Sequence, residues 1–304
     1  SKKDDLLNIY YTAATSYGAN IESPSYAVMN IVNSVVKSGS FGTSKSDDKT
    51  GFIVGSLFGG THNATKNVKV EGGWIYNLTG DSSVAADRAN FIDVRMYITG
   101  GKIEMVVGGS DKTNTYGHRF IQATGGVIGY GIIGGNNAYN GENATLNGNT
   151  LIYVGGNTIV GDDNYIASNL SMYGIEPGTI FGSGNGSSNS LNNSVKNTNI
   201  IINDDAVIKN EIYLGGNYGT VKSDIDQTAQ MIILGGKINN SVYLGGKYSG
   251  LGSSDYLTNA NITINEGVIN GAIYGGSNIN GILFGDVSMT ISGGTINEIY
   301  GGGK

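Results

Sequence analysis

Apolar and polar residues alternate in short runs that recur along the chain, most plainly between Ile262 and Gly302. There Ile262 and Ile264, a Glu266-Gly267 pair, Ile269 and Ile273-Tyr274-Gly275-Gly276 return as Met289 and Ile291, Gly293-Gly294, Ile296 and Ile299-Tyr300-Gly301-Gly302. Alternation places the aliphatic side chains of each run on one face of a strand, and the glycine pair supplies the backbone freedom of a sharp bend. The predicted unit is strand, corner, strand.

The same unit aligns upstream. Its corners fall at Gly72-Gly73, Gly100-Gly101, Gly125-Gly126, Gly155-Gly156, Asp204-Asp205 and Gly235-Gly236, and the full set is spaced at steps of 25 to 49 residues. The step of 49 accommodates a degenerate copy made of Leu170 and Met172, Tyr173-Gly174, Ile175 and Ile180-Phe181-Gly182. Met29, Ile31, Asn33-Ser34 and Val36 form a weak first copy. The total is about ten copies, at a period that marks a stacked repeat array.

Columns through the copies predict the kind of array. Four residues before the corner stand Val68, Met96, Ile121, Leu151, Ile200, Met231, Ile262 and Met289; two before it stand Val70, Ile98, Ala123, Tyr153, Ile202, Ile233, Ile264 and Ile291. After the corner come Ile75, Ile103, Ile128, Ile159, Val207, Ile238, Ile269 and Ile296, with Ile159 one place late. No copy holds a dozen residues of helical period, so each is built of short strands whose like side chains meet on stacking. The fold class expected is all-β: a parallel β-helix, or β-solenoid, over residues 29–304, with coils of 19 to 39 residues.

Residues 1–28 are less periodic and are expected to close the N-terminal end, with Leu6–Tyr11 as an end strand. Ala27 to Val36 fits either a strand or a capping helix, and the strand reading is favoured. Corner-to-strand connections are tight, whereas those from the second glycine pair to the next coil are long and variable, 7 to 15 residues. In repeat arrays a side of long loops is often the binding face.

Those loops pair tyrosine with amides and carboxylates: Tyr139-Asn140, Asn217-Tyr218, Lys247-Tyr248 and Asp255-Tyr256. Sugar rings stack on such plates and bond to such polar groups, which makes Tyr139, Asn140, Asn217, Tyr218, Tyr248 and Tyr256 the candidate ligand-binding residues. The same residue types also shape turns and cover apolar edges without any ligand. A second aromatic series, Phe58, Phe181, Tyr213, Tyr243, Tyr274 and Tyr300, is expected to stack as a structural ladder.

Composition narrows the chemistry. The 51 glycines lack the every-third period of collagen, and the regular apolar columns argue against a disordered chain. Absence of cysteine removes disulfides, thiol catalysis and cysteine metal sites. A net charge of −6 with only three arginines leaves no basic stripe for a phosphate backbone, so nucleic acid is not an expected partner. No apolar run has transmembrane length.

His62 and His118 are the only histidines, and neither has a second at metal-ligand spacing. Asp93, Arg95, Asp111, Lys112, His118 and Arg119 form the densest polar cluster, from which Asp93, Arg95, His118 and Arg119 are weak catalytic candidates. Carboxylates beside Lys or Arg could serve proton abstraction or glycoside cleavage. Asp93 and Arg95 nevertheless alternate with Ile92, Val94 and Met96, the pattern of an ordinary outward strand face. The doublets Asp162-Asp163 and Asp204-Asp205 suit turns better than calcium, and no metal or cofactor is expected.

The runs ILGGKINNSVYLGG and MTISGGTINEIYGGG resemble the glycine-rich right-handed β-helix repeats of bacterial surface and secreted proteins, among them adhesins and autotransporter-like passengers of pectin-lyase-like architecture. The resemblance covers roughly Met29 to Gly303. It implies a surface or secreted adhesin or stalk that contacts host or matrix glycans or proteins; a polysaccharide lyase or glycoside hydrolase and a self-associating fibre subunit are the alternatives. Because little follows the final repeat at Gly302, further coils, a cap or end-to-end association with another copy is expected there.

Overall fold

A strand that alternates aliphatic and polar residues can bury its aliphatic face by stacking on strands of like pattern, and the chain does so in two long parallel sheets. The computed structural model describes residues 25–31, 53–58, 64–81, 93–110, 113–139, 141, 143–188 and 193–304. Leu6–Tyr11, His62, Asp111, Lys112 and Asn140 lie outside these residues. Among the described residues all regular structure except one short helix is strand, consistent with a β-solenoid, and no helix is long and apolar enough to cross a membrane.

Sheet 1 stacks, in chain order, Ser25–Ile31, Ala64–Val70, Val94–Ile98, Arg119–Ala123, Leu146–Val154, Val195–Ile202, Gln227–Ile233, Thr258–Ile264 and Val287–Ile291. Ser25–Ile31 takes the strand form favoured for the start of Ala27 to Val36, while residues 32–36, with Asn33-Ser34 and Val36 of the weak first copy, lie outside the described residues. Sheet 2 stacks the partner strands on the same rungs, from Ile53–Phe58 and Trp74–Thr79 to Val268–Tyr274 and Thr295–Tyr300.

Register aligns Val68, Met96, Ile121, Ile152, Ile200, Met231, Ile262 and Met289 in one column of sheet 1. Val70, Ile98, Ala123, Val154, Ile202, Ile233, Ile264 and Ile291 form the next. Sheet 2 contributes Ile75, Ile103, Ile128, Val160, Ile208, Ile238, Ile269 and Ile296. From Val68 to Ile269 these residues are at most 2% exposed and form one continuous core.

Four expected positions are corrected. Ile152, Val154 and Val160 face inward in place of Leu151, Tyr153 and Ile159, and Ile208 in place of Val207. The cause is a longer corner on these two rungs, where buried Thr158 and Ala206 are accommodated. The left-handed residue of each corner, Gly156 at φ 56° and Asp204 at φ 53°, then comes one place earlier than the glycines of the other corners. Aspartate tolerates that conformation, and its carboxylate accepts the Gly156 N–H of the preceding rung at 2.8 Å. Asp204 is therefore a turn residue, as its place in the repeat suggested.

Residues 170–182 are not a further copy. Val127–Ile133 pairs with Ile159–Val160 along one half and Thr179–Phe181 along the other, so both short strands belong to a single rung. The intervening segment leaves at Gly161 and returns at Gly178, φ 115° and 89°, where an added Cβ on Gly161 would lie 3.0 Å from the Gly178 Cα. Only glycine fits that close crossing. The excursion carries helix α1, Asp163–Ala167, and a hairpin bridging Met172 to Ile175 through a Tyr173-Gly174 turn with both φ positive.

This strap lies over the outer face of sheet 2. Met172 and Ile175 pack with Met105, Val107, Ile133, Phe181, Tyr213 and Tyr243 in a second apolar cluster. Three lysines of the stack hold its acids: Lys102 pairs with Asp162 at 2.6 Å, Lys209 with Asp163 at 2.7 Å and Lys247 with Glu176 at 2.7 Å. The expected aromatic ladder is present along this face from Phe181 onward, with ring centroids from Phe181 through Tyr213, Tyr243 and Tyr274 to Tyr300 spaced 4.8, 4.8, 4.9 and 5.0 Å, whereas Phe58 is separated from Phe181 in register by Thr79, Val107 and Ile133. Those spacings are the strand separation of a parallel sheet, so the ladder follows from register.

Candidate functional site

The long connections fold against the entry to sheet 1 and are themselves laddered there. Val195, Val221, Leu251 and Leu283 make successive parallel bridges, and the first three are buried. Alternation then turns Lys196 and Lys222 outward, onto the floor of a groove of about 690 Å³. Its sides carry Asn114, Tyr116, Asn143, Thr145 and Asn147 from earlier rungs, and Asp224, Ser253, Asp255 and Tyr256 from later ones.

Local hydrogen bonds fix these loops. Asn114 Oδ1 accepts the Thr145 N–H at 2.9 Å. Ser253 Oγ accepts the Tyr256 N–H at 3.2 Å, and the Ser253 N–H returns a bond to the Tyr256 carbonyl at 2.9 Å. That reciprocal pair fixes the turn that carries Tyr256, a residue 42% exposed, to the groove edge. Lys196 donates to Asp224 at 3.0 Å, and this bond holds the Asp224 carboxyl below its ordinary range. The groove therefore offers aromatic faces, amides, hydroxyls and both signs of charge.

The other candidate ligand residues sit elsewhere. Tyr218 and Tyr248 stack on each other, centroids 4.6 Å apart and planes at 7°, so each covers a face the other would present to a sugar. Tyr139 is exposed but meets Tyr173 of the strap edge-on at 5.8 Å. Asn217 is buried in an amide ladder, donating to Asn185 at 2.8 Å, which donates to Asn137 at 2.8 Å. Of the described candidates, Tyr256 alone lines the groove; the neighbours that accompany it there, Tyr116 and Lys222 foremost, gave no repeat signal because they stand in the variable part of the loops.

The weak catalytic candidates do not share one site. Arg95 is exposed on the outer face of sheet 1. The Asp93 carboxylate accepts the His118 N–H at 2.9 Å, and His118 Nδ1 accepts the Asn149 N–H at 3.2 Å, so both serve loop geometry. Arg119 points into the core between Val94 and Thr150 and pairs with buried Asp81 at 3.1 Å. Burial lowers the Arg119 guanidinium from its ordinary value, opposed by the Asp81 and Asp93 carboxylates.

One polar cluster was not singled out in the sequence. Glu104, 1% exposed, lies on the outer face of sheet 2 beneath helix α1. Its Oε1 accepts the Trp74 indole N–H at 2.6 Å and the Tyr165 hydroxyl at 2.9 Å, and Lys102 Nζ stands 3.6 Å away. Tyr165 stacks on Tyr130 at 4.7 Å. Desolvation, with the Glu104 carboxyl next, pushes the Tyr165 phenol above its ordinary range. The only sequence signal was a glutamate and a lysine on either side of Ile103, which reads as a solvated face.

No protein-family model matches this chain, and no curated protein or solved structure matches it.

Proposed function

We propose that this chain is a right-handed β-helix of a bacterial surface or secreted protein that binds glycans along the groove between Tyr116 and Tyr256. Right-handed crossover is the rule for parallel strands, which supports the handedness. The observation that carries the binding role is the groove itself: several rungs contribute exposed tyrosine edges, amides, hydroxyls and Lys222 to one surface, parallel to the stack. An extended polymer with repeating hydroxyls suits a surface whose donors and acceptors recur from rung to rung. Repeat scaffolds also place variable loops where ligands are read.

A glycan array and a cell-binding assay on the intact chain test this reading. Tyr256→Ala and Lys222→Ala should each weaken binding by about tenfold, the worth of one stacking or charged contact, with circular dichroism and melting temperature unchanged. Tyr248→Ala, away from the groove, should leave binding intact. A chain that binds no glycan or cell surface refutes the proposal, and cleavage of a polysaccharide under the same conditions would replace binding with catalysis.

A further inference from the structure

The Glu104 cluster brings together an amine, a carboxyl group and a second carboxylate in an aromatic enclosure. Lys102 Nζ lies 2.6 Å from Asp162 Oδ2, and Glu104 Oε1 lies 3.6 Å from the same amine. Trp74 and Tyr165 donate to Glu104, Tyr130 stacks on Tyr165, and Lys102 Nζ stands 5.0 Å from the Tyr165 ring centroid. Glu104 Oε2 is buried with no hydrogen-bond partner among the described residues, and it points at Gly129, where an added Cβ would come within 2.1 Å. A glycine is thus required for this carboxyl group to occupy the enclosure at all.

We propose that Lys102 and Asp162 condense into an intramolecular amide, with Glu104 carrying the proton. The Asp162 side chain is held for the reaction, because its Oδ1 accepts the Asn164 N–H at 2.8 Å while Oδ2 faces the amine. Glu104 takes one proton from the Lys102 ammonium, freeing the nitrogen lone pair to attack the Asp162 Cγ. The N–C bond forms, the C–Oδ2 bond breaks, and Oδ2 leaves as water with the proton returned by Glu104 and a second from the nitrogen. Ammonium plus carboxylate thereby become amide plus water, with no oxidant, cofactor or other reactant.

Two physical effects favour the step. Fixed proximity replaces a bimolecular encounter, and the Asp162 side chain, 12% exposed, is largely shielded from the water that would reverse the reaction. The neighbouring pairs Lys209–Asp163 and Lys247–Glu176 serve as internal controls that differ at the acid: the Asp163 and Glu176 side chains are 82% and 47% exposed, against 12% for Asp162, whereas their amines, 16% and 10% exposed, are no more open than Lys102 at 26%.

Intact mass spectrometry of the denatured full chain decides it. The expected mass is one water below the sequence mass, and a proteolytic digest should yield Lys102 and Asp162 in one branched peptide. Lys102→Arg should restore the full sequence mass. Asp162→Asn should lose ammonia in place of water, and Glu104→Gln should keep its circular dichroism spectrum but lose the cross-link. Wild-type protein at its full mass after prolonged incubation at neutral pH overturns the proposal. So does a water loss that survives Lys102→Arg, which would mark a cyclised aspartate elsewhere; cross-linking undiminished in Glu104→Gln overturns the assigned proton carrier.

Discussion

Ile233→Asp is expected to cost at least about 4 kcal/mol, a large share of the roughly 5–15 kcal/mol that keeps an ordinary domain folded. Ile233 is 0% exposed and stacks between Ile202 and Ile264, so the new carboxylate would meet aliphatic carbon on both neighbouring rungs. Burying an ionised group without a partner is among the largest single penalties available to a mutation. Lys237→Asp, on an exposed position of the adjoining corner, should stay within about 0.5 kcal/mol. Ile152→Asp should behave like Ile233→Asp, while Leu151→Asp, on the outer face, should be far milder. Urea melts of the four variants check the register, and equal losses at Ile152 and Leu151 would contradict it.

Arg119→Met is expected to lose about 3–5 kcal/mol, because it leaves the Asp81 carboxylate buried without its guanidinium. The Arg119 side chain is 0% exposed and that of Asp81 6%, so water cannot take over the lost partner. Arg119→Met combined with Asp81→Leu should recover most of that loss, since removing both charges also removes the desolvation cost. A double-mutant cycle in urea measures the coupling. Additive losses would show that the two charges do not stabilise each other.

That pair also shows where sequence reading stopped. Arg119 sits two and four residues before the inward Ile121 and Ala123, so alternation alone places it inside, whereas its charge and polar neighbours in the sequence made it a weak catalytic candidate. The columns themselves were legible because glycine pairs and aliphatic alternation repeat together. They failed at Leu151 and Tyr153, where Gly155 stands one place ahead of the structural corner, and the lateness of Ile159 was the visible trace of that offset.

The strap was harder to read. Leu170, Met172, Ile175 and Ile180 carry the spacing of a repeat, but Met172 and Ile175 use it to cover the stack from outside. Nothing local distinguishes an apolar residue that faces the core from one that covers it. In the site, Tyr256 was identifiable as an aromatic beside a carboxylate on a long loop. The stacking of Tyr218 on Tyr248 was not, because it depends on which residues register brings one rung apart.

A stack in which each rung touches only its neighbours should unfold gradually from its ends. The strap changes that connectivity. It emerges from the rung of Ile159–Val160, yet its anchors reach Lys102 two rungs before and Lys247 beside the strand Val242–Tyr243 two rungs after. Next-nearest-neighbour coupling of this sort merges five rungs into a single opening unit. Strand amides of these five rungs, from Lys102–Val107 to Val242–Tyr243, should therefore exchange with solvent deuterium at one shared rate, set by the opening of the whole block, while those of Val268–Tyr274 and Thr295–Tyr300 exchange faster and in sequence toward the final rung. Cutting the strap between Ser168 and Ser171 should split that shared rate into a gradient.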